Sequence, residues 1–277
     1  MLLSATFNLK RAERFAALGY DAVDVDLCST IVEGEKHDPL LDGEDWMEKV
    51  DAKKAWLEGL GLKVNSCHLP FRYDYLDLED PENLKKHQMS CRALIAAERM
   101  GAKWAVMHVD KRSKDPDIAI ANTVAYVKKL YAETGVKEIT ITVENSSHQE
   151  LRVPIEAYDR LKAEGYRVGF CLDVGHCNTN PDRYGECESV PHAIRILGDR
   201  IKMLHLHDNE GDFDMHTAPF CGTLPWEETM RALKEVGYQG VFNYEISWVK
   251  IPEPLTASFD RFVLDTARYL IGIFEET

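Results

Sequence analysis

The sequence lacks the features that would place it among membrane or secreted proteins. No apolar run approaches the ~18 residues that a membrane span needs. The N-terminal segment MLLSATFNLKRAERF lacks both the basic region and the long apolar region of a secretory signal. The chain has seven cysteines, none of them in a C-x-x-C spacing. We therefore expect reduced thiols in a cytoplasmic protein that has no membrane partner.

Positive charge is also scarce. The chain carries 33 Lys and Arg against 47 Asp and Glu, a formal net charge of -14 at pH 7. Proteins that bind nucleic acids usually present a basic face, because they neutralise phosphates. The acidic balance therefore argues against nucleic acid as the main partner. The argument is weaker for any carboxylates that sit on a bound metal, since these carry no free charge.

Short apolar segments and longer helical patterns alternate along the whole chain. The predicted strands are Leu2–Phe7, Ala22–Leu27, Lys63–His68, Trp104–Val109, Ile139–Glu144, Val168–Asp173, Ile201–His207 and Val241–Ile246. The main helical patterns are Trp46–Leu60, Asn83–Met100, Ile118–Thr134, Ile155–Glu164, Pro191–Leu197, Trp226–Val236 and Leu255–Glu275. This alternation predicts an α/β fold, a single (β/α)8 TIM barrel over residues 1–277. A doubly wound open sheet is the alternative, but the Gly-rich phosphate loop usual after its first strand is absent.

Residue types that bind metals are concentrated at the ends of the predicted strands. The strand-end residues are His68, His108, Glu144, Asp173, His205, His207 and Glu245, and the residues that follow the sixth and seventh strands are His176, Asp214 and His216. Six of the ten histidines are in this group. In TIM barrels the functional residues lie at the C-terminal ends of strands. Side-chain alternation also places the strand-end residues on one face, as for Thr142 and Glu144.

A single histidine at a strand end is more often a hydrogen-bonded rim residue than a metal ligand. Convergence changes that interpretation, because carboxylates and imidazoles crowded together would repel and desolvate one another without a cation. The pattern therefore predicts a divalent metal site. Mixed carboxylate and imidazole ligands suit Zn or Mn.

Other residues are weaker candidates. Phe71 and Trp226 would serve as apolar walls of the site or in ordinary packing. Basic residues near the third and fourth strand ends would contact a phosphate or remain at a solvated rim: Arg72, Lys111 and Arg112. The remaining histidines are expected at the surface: His37, His87, His148 and His192. His207 is expected to support the metal ligands from behind.

Several motifs resemble those of the xylose isomerase-like barrel superfamily, which includes sugar phosphate isomerases and epimerases and endonuclease IV. They are VENSS at Glu144, LDVGH from Asp173, LHLHD at His205, DMH from Asp214 and YEIS at Glu245. Resemblance to the ketose 3-epimerase branch implies one metal held by Glu144, Asp173, His205 and Glu245. It also implies that the two glutamates exchange substrate protons and that His176 contacts substrate. Where that branch has an Arg after the seventh strand, this chain has His216.

Resemblance to the endonuclease IV branch implies three zinc ions and nine ligands. The matching residues are His68, His108, Glu144, Asp173, His176, His205, Asp214, His216 and Glu245. Two departures stand against this branch. Its Gly-Glu-Gly loop is Phe-Cys-Gly at Phe220–Gly222, and its basic DNA-contacting loops are not evident.

Three functional hypotheses follow. The first is a metal-dependent sugar or sugar phosphate isomerase or epimerase of carbohydrate metabolism, in which the metal would stabilise an enediolate and Glu144 and Glu245 would be the catalytic base and acid. His68, His108, His176 and His216 would then bind substrate. The second is an endonuclease IV-like multinuclear zinc phosphoester hydrolase, in which those histidines and Asp214 are additional metal ligands. The third is a catalytically silent sugar-binding or metal-binding protein. Related enzymes also suggest a homo-oligomer.

Overall fold

The computed structural model describes residues 2–7, 11–27, 39–41, 43–71, 74–147, 149–179, 187–247 and 251–276. Within these ranges the strands are β1 (Leu3–Phe7), β2 (Ala22–Asp26), β3 (Lys63–His68), β4 (Trp104–His108), β5 (Thr140–Glu144), β6 (Val168–Asp173), β7 (Ile201–His205) and β8 (Phe242–Tyr244). They form one sheet in the order β7-β6-β5-β4-β3-β2-β1-β8, and each hydrogen-bonded pair is parallel. Each strand boundary lies within a few residues of its prediction.

The two ends of this sheet meet just beyond β7. The backbone N–H of Leu206 donates to the carbonyl of Asn243 at 2.9 Å, and the N–H of Glu245 donates to the carbonyl of Leu206 at 3.0 Å. These bonds close the sheet through a parallel bridge between Leu206 and Tyr244. The predicted (β/α)8 barrel is therefore confirmed, and the doubly wound alternative is wrong.

Helices alternate with the strands. They are α1 (Ala12–Leu18), α2 (Trp46–Gly59), α3 (Pro81–Met100), α4 (Pro116–Thr134), α5 (Arg152–Ala163), α6 (Val174–Asn178), α7 (Val190–Leu197), α8 (Trp226–Glu235) and α9 (Thr256–Glu276). The sequence patterns did not single out the two short helices α1 and α6. No helix in the described part of the chain combines the length and apolar character needed to cross a membrane.

Local sequence explains where the long helices begin. The Asp80 carboxylate accepts hydrogen bonds from the backbone N–H groups of Glu82 and Asn83, at 2.8 and 3.2 Å, and Pro81 follows it. An Asp that satisfies free N–H groups, followed by Pro in the first turn, is a strong helix start. The same helix ends at Gly101, whose φ of 85° is in the left-handed region that glycine adopts without steric cost.

The barrel interior is separate from the larger core between strands and helices. Val106, Cys171 and Met203 pack together inside it. Two residues further along each of these strands stand His108, Asp173 and His205, on the same face because side chains alternate. The packed interior therefore forms the floor beneath the strand-end residues.

Candidate active site and metal centre

Strand register brings the strand-end residues side by side. His108 is paired with Glu144 across β4 and β5, and Asp173 is paired with His205 across β6 and β7. Neighbouring parallel strands lie about 4.8 Å apart, so residues in register present adjacent side chains. Residues that are tens of positions apart in the sequence thus lie together at one end of the barrel.

The first cluster surrounds the Nδ1 atom of His205. This atom lies 2.9 Å from Glu144 Oε1, 2.9 Å from Glu245 Oε2 and 3.9 Å from Asp173 Oδ2. Three of the four side chains are fully buried, whereas that of Glu245 is 22% exposed. The four residues predicted as the inner ligand set therefore converge on one point.

A second cluster uses the other oxygen of Glu144. Its Oε2 lies 2.9 Å from His108 Nε2 and 3.4 Å from His68 Nε2. The Phe71 ring stacks on His108, with centroids 4.9 Å apart and planes 10° apart. Glu144 is therefore shared between two groups of imidazoles, as a bridging carboxylate would be.

The third cluster is carried by α6 and by the loop after β7. Asp214 Oδ2 lies 3.1 Å from His176 Nε2 and 3.2 Å from His216 Nε2. Asp173 caps α6 by accepting a hydrogen bond from the backbone N–H of His176 at 2.6 Å, which fixes that residue above the strand end. All nine predicted site residues are thus brought together, in three adjoining clusters.

Backbone carbonyls set the direction of three of these rings. The Nδ1 atoms of His68, His176 and His216 lie 2.8, 3.0 and 2.9 Å from the carbonyl oxygens of Leu69, Asn145 and Glu245. Each Nδ1 therefore donates its proton, and each Nε2 faces a carboxylate. An imidazole lone pair facing a carboxylate needs a proton or a cation between them.

The donor atoms fit a divalent metal. The Cys171 sulfur also lies near Glu144 and His205, but burial raises the pKa of its thiol. The remaining donors are oxygen and imidazole atoms, a set that Zn and Mn accept. Buried Glu144 Oε2 has no hydrogen bond of normal geometry, although two imidazole nitrogens lie near it. Such an atom is costly to bury unless a cation compensates it. The residues that would hold the ion are those already predicted: Glu144, Asp173, His205 and Glu245.

The imidazoles of the site differ in the direction in which their pKa is shifted. Burial lowers the pKa of His176, but Asp173 and Asp214 outweigh it and raise that pKa to about 9. His216 behaves likewise beside Asp214, with a pKa of about 10. Burial dominates at His108 and lowers its pKa to about 3. His108 is therefore already neutral, whereas a metal binding at His176 and His216 would first have to displace their protons.

Sequence reasoning missed Asp24. This β2 residue is fully buried inside the barrel, where its Oδ2 lies 3.4 Å from His205 Nε2 and accepts a hydrogen bond from the Thr6 hydroxyl at 2.9 Å. A carboxylate behind a histidine orients the ring and increases its basicity as a ligand. The detectable signal was an acidic residue in the middle of the apolar strand AVDVD.

His207 supports the site as expected. Its Nε2 lies 3.0 Å from Asp173 Oδ1, and its ring is fully buried. A Cβ atom at position 175 would overlap this ring, so Gly175 is required where the chain turns into α6. His207 thus holds Asp173 from behind.

The clusters open into a cavity of about 610 Å³. Phe71, Lys111 and Phe213 line it together with seven of the nine site residues, all except the fully buried Asp173 and His205. Trp226 is not among its lining residues. That side chain is buried in the core, and its Nε1–H donates to Asp208 Oδ2 at 2.8 Å, so its role is packing.

The weaker candidates are mostly peripheral. Arg112 is 61% exposed and lies 3.9 Å from Asp74. His192 is half-buried on α7. The prediction that His87 lies at the surface is wrong, because it packs between α3 and α4 beside Tyr126 and is only 4% exposed. Arg72, His37 and His148 lie outside the described residues.

Two proteins are similar in sequence to a large part of this chain. The uncharacterised protein y4fM of Sinorhizobium fredii is 26% identical over 210 residues, which are 72% of this chain and 61% of y4fM. A D-psicose 3-epimerase of Enterocloster bolteae is 24% identical over 245 residues, 83% of this chain and 74% of that enzyme. The match thus spans less than two thirds of y4fM and about three quarters of the epimerase.

Comparison with solved structures agrees on the fold. The IolI protein, whose crystal structure contains a zinc atom, superposes with a TM-score of 0.71 at 16% identity and covers 100% of this chain and 99% of its own. The sequence profile of the family described as xylose isomerase-like TIM barrel matches residues 12–262. From this match and the closed barrel, the chain belongs to the xylose isomerase-like TIM barrel family.

Proposed function

We propose that the protein is a divalent-metal-dependent isomerase or epimerase acting on a sugar or sugar phosphate. The observation that carries the proposal is the pair Glu144 and Glu245, each with a carboxylate oxygen 2.9 Å from His205 Nδ1. Two carboxylates beside one ligand group suit proton transfer on opposite sides of a substrate carbon held there. The D-psicose 3-epimerase relative supports this reaction class.

The two glutamates differ in a way that suits different roles. Glu245 is 22% exposed towards the cavity, whereas Glu144 is buried between three imidazoles. Burial raises the pKa of each, but the neighbouring histidines outweigh burial and lower it below the ordinary range. Both glutamates therefore enter the reaction as carboxylates. Glu245 would take the proton next to the carbonyl, and Glu144 would deliver a proton to the opposite face after taking one up from solvent or from a neighbouring imidazole.

Substrate contacts would come from the rest of the cavity. His176 and His216 are held by Asp214 and by backbone carbonyls, so their positions are set before substrate arrives. Such rings would bind hydroxyl groups, while Phe71 would shield the site from water. Lys111 places a positive charge in the cavity wall, where a phosphate would be favoured.

The ion itself is inferred to be Zn or Mn, held by Glu144, Asp173, His205 and Glu245. When bound, it would supply Lewis-acid stabilisation of negative charge on the substrate oxygens. The zinc atom in the IolI structure is consistent with zinc as the ion.

Solvent deuterium exchange tests the proposal. Metal-loaded protein in D₂O is expected to place deuterium on the carbon next to the carbonyl of at least one member of a panel of ketoses, keto-glycosides and their phosphates. Glu245→Gln should abolish this exchange, whereas Glu79→Gln, an exposed glutamate outside the cavity, should not. Loaded protein that exchanges no proton across the whole panel would contradict the proposal.

A multinuclear phosphoester hydrolase is the second candidate, and one observation favours it. Glu144 and Asp214 each stand between two imidazole nitrogens, in addition to the cluster around His205. That arrangement offers sites for two or three ions, whose bridging hydroxide would attack phosphorus. Metal analysis discriminates, because about one ion per chain favours the isomerase and two or three favour the hydrolase. Cleavage of DNA that contains abasic sites would support the endonuclease version.

A further inference from the structure

A second group of potential metal ligands lies outside the barrel mouth, between α3 and α4. His87 and Cys91 stand four residues apart on α3, so one helical turn places them on the same face. Glu133 reaches them from the last turn of α4. The Nε2 atom of His87 lies 2.7 Å from Glu133 Oε2 and 3.8 Å from Cys91 Sγ, which in turn lies 3.9 Å from Glu133 Oε2.

These separations are close to those of a tetrahedral zinc site. Zn–N and Zn–O distances near 2.0 Å and a Zn–S distance near 2.3 Å imply ligand atoms roughly 3.3 to 3.6 Å apart. The two separations that involve the Cys91 sulfur exceed this range by a few tenths of an ångström. The contact between His87 and Glu133 would have to lengthen, and the Glu133 side chain is 43% exposed and able to move.

Neighbouring side chains orient the His87 ring and the Glu133 carboxylate toward each other. Tyr126 OH lies 3.1 Å from His87 Nδ1, which leaves Nε2 facing Cys91 and Glu133. A hydrogen-bond partner on the far nitrogen is the usual support of a metal-bound histidine. Lys129 pairs with Glu133 Oε1 at 2.6 Å, so the Oε2 atom remains the one directed at His87.

We propose that His87, Cys91 and Glu133 bind a zinc ion between α3 and α4, with a water molecule in the fourth position. Binding releases the proton of the Cys91 thiol to solvent, while the His87 ring binds through Nε2 and keeps one proton on Nδ1, facing the Tyr126 hydroxyl. One imidazole, one thiolate and one carboxylate suit zinc rather than magnesium or calcium. The site is independent of the barrel mouth, and therefore also of the function proposed above.

Cobalt titration distinguishes this site from the barrel mouth. A thiolate bound to Co²⁺ gives a near-ultraviolet charge-transfer absorption, which the imidazole and carboxylate ligands at the barrel mouth do not. We expect the band in the wild type and in Cys221→Ser, which removes an exposed cysteine elsewhere. Cys91→Ser should lose the band and about one equivalent of bound zinc, since serine keeps the shape but does not supply a thiolate.

Alkylation provides a second readout that needs no activity. Zinc should slow the modification of half-buried Cys91 by iodoacetamide and leave that of Cys221 unchanged. Glu133→Gln should weaken the protection, while far-ultraviolet circular dichroism confirms that each variant is folded. A wild type without the band overturns the proposal, as does a band that persists in Cys91→Ser. A band lost instead in Cys171→Ser would place the thiolate inside the barrel and also overturn it.

Discussion

The site has two regions that are built differently. Glu144, Asp173 and His205 end their strands, are almost completely buried and are aligned by strand register. Asp214 and His216 lie in the loop after β7, where His216 has a φ of 49° and the Asp214 side chain is 31% exposed. One region is held by the ladder of the barrel, and the other by a single antiparallel bridge between Asp208 and Thr217 and a few further hydrogen bonds.

This difference suggests that the two regions have different roles. We call Glu144, Asp173 and His205 the strand-borne region. Residues at strand ends are positioned as precisely as the strands themselves, so this region suits a metal site of fixed geometry. We call Asp214 and His216 the loop-borne region. Loops tolerate sequence change, so this region is suited to selecting a substrate or binding further ions. The predictions below test this division.

Glu144→Gln should have the largest effect. It removes a carboxylate that is shared by two clusters, so metal content should fall and substrate proton exchange should drop by at least about 10³-fold. Metal analysis and deuterium exchange measure the two effects. Glu79→Gln is the matched control. Retention of full metal content would show that the strand-borne region is not the ligand set.

Asp24→Asn tests the support behind His205. The isosteric amide keeps the shape but loses the charge, and loss of such support typically costs 10–100-fold in metal affinity. Competition with a metal chelator measures that affinity. Ser4→Ala, which removes a buried hydroxyl that has no hydrogen-bond partner, should leave the affinity unchanged. Equal affinities in wild type and Asp24→Asn would assign Asp24 a packing role only.

Asp214→Asn should have a smaller effect if the loop-borne region binds substrate. Loss of a charged hydrogen-bond partner from His176 and His216 should raise KM about tenfold, with metal content unchanged. Steady-state kinetics and metal analysis on the same sample measure both quantities. Loss of one ion instead would favour the multinuclear hydrolase and break the proposed division.

The metal-free protein should lose stability as pH rises. The pKa values of His176 and His216 in the folded protein, about 9 and 10, exceed the ordinary value near 6.5. Their contribution is therefore complete below about pH 6.5 and is lost as pH rises through 9 to 10. Urea unfolding at pH 6 to 10 measures it. In His216→Gln the free energy of unfolding should fall less steeply with pH, whereas His192→Gln should behave as the wild type. Identical pH dependence in the wild type and both variants would contradict the raised pKa of His216.

Most of the fold and much of the site could be read from residue patterns. Strand–helix alternation is a local signal, and the polar residues of β5 and β6 stand out because they end apolar runs. The short helix α6 could not be read in this way, since its five residues are too few to show a helical period. Burial of His87 was also hidden, because a histidine on a helix carries no local sign of the neighbouring helix that covers it.

The sequence by itself determined the barrel and the polar residue types at its strand ends, since both depend on periodicity and on residue chemistry within short segments. Only the tertiary structure decided which atoms meet. Strand register placed two oxygens of Glu144 in different clusters, and barrel closure brought Asp24 behind His205. These contacts join residues that are far apart in the chain, so their distances depend on the folded backbone and not on any local pattern.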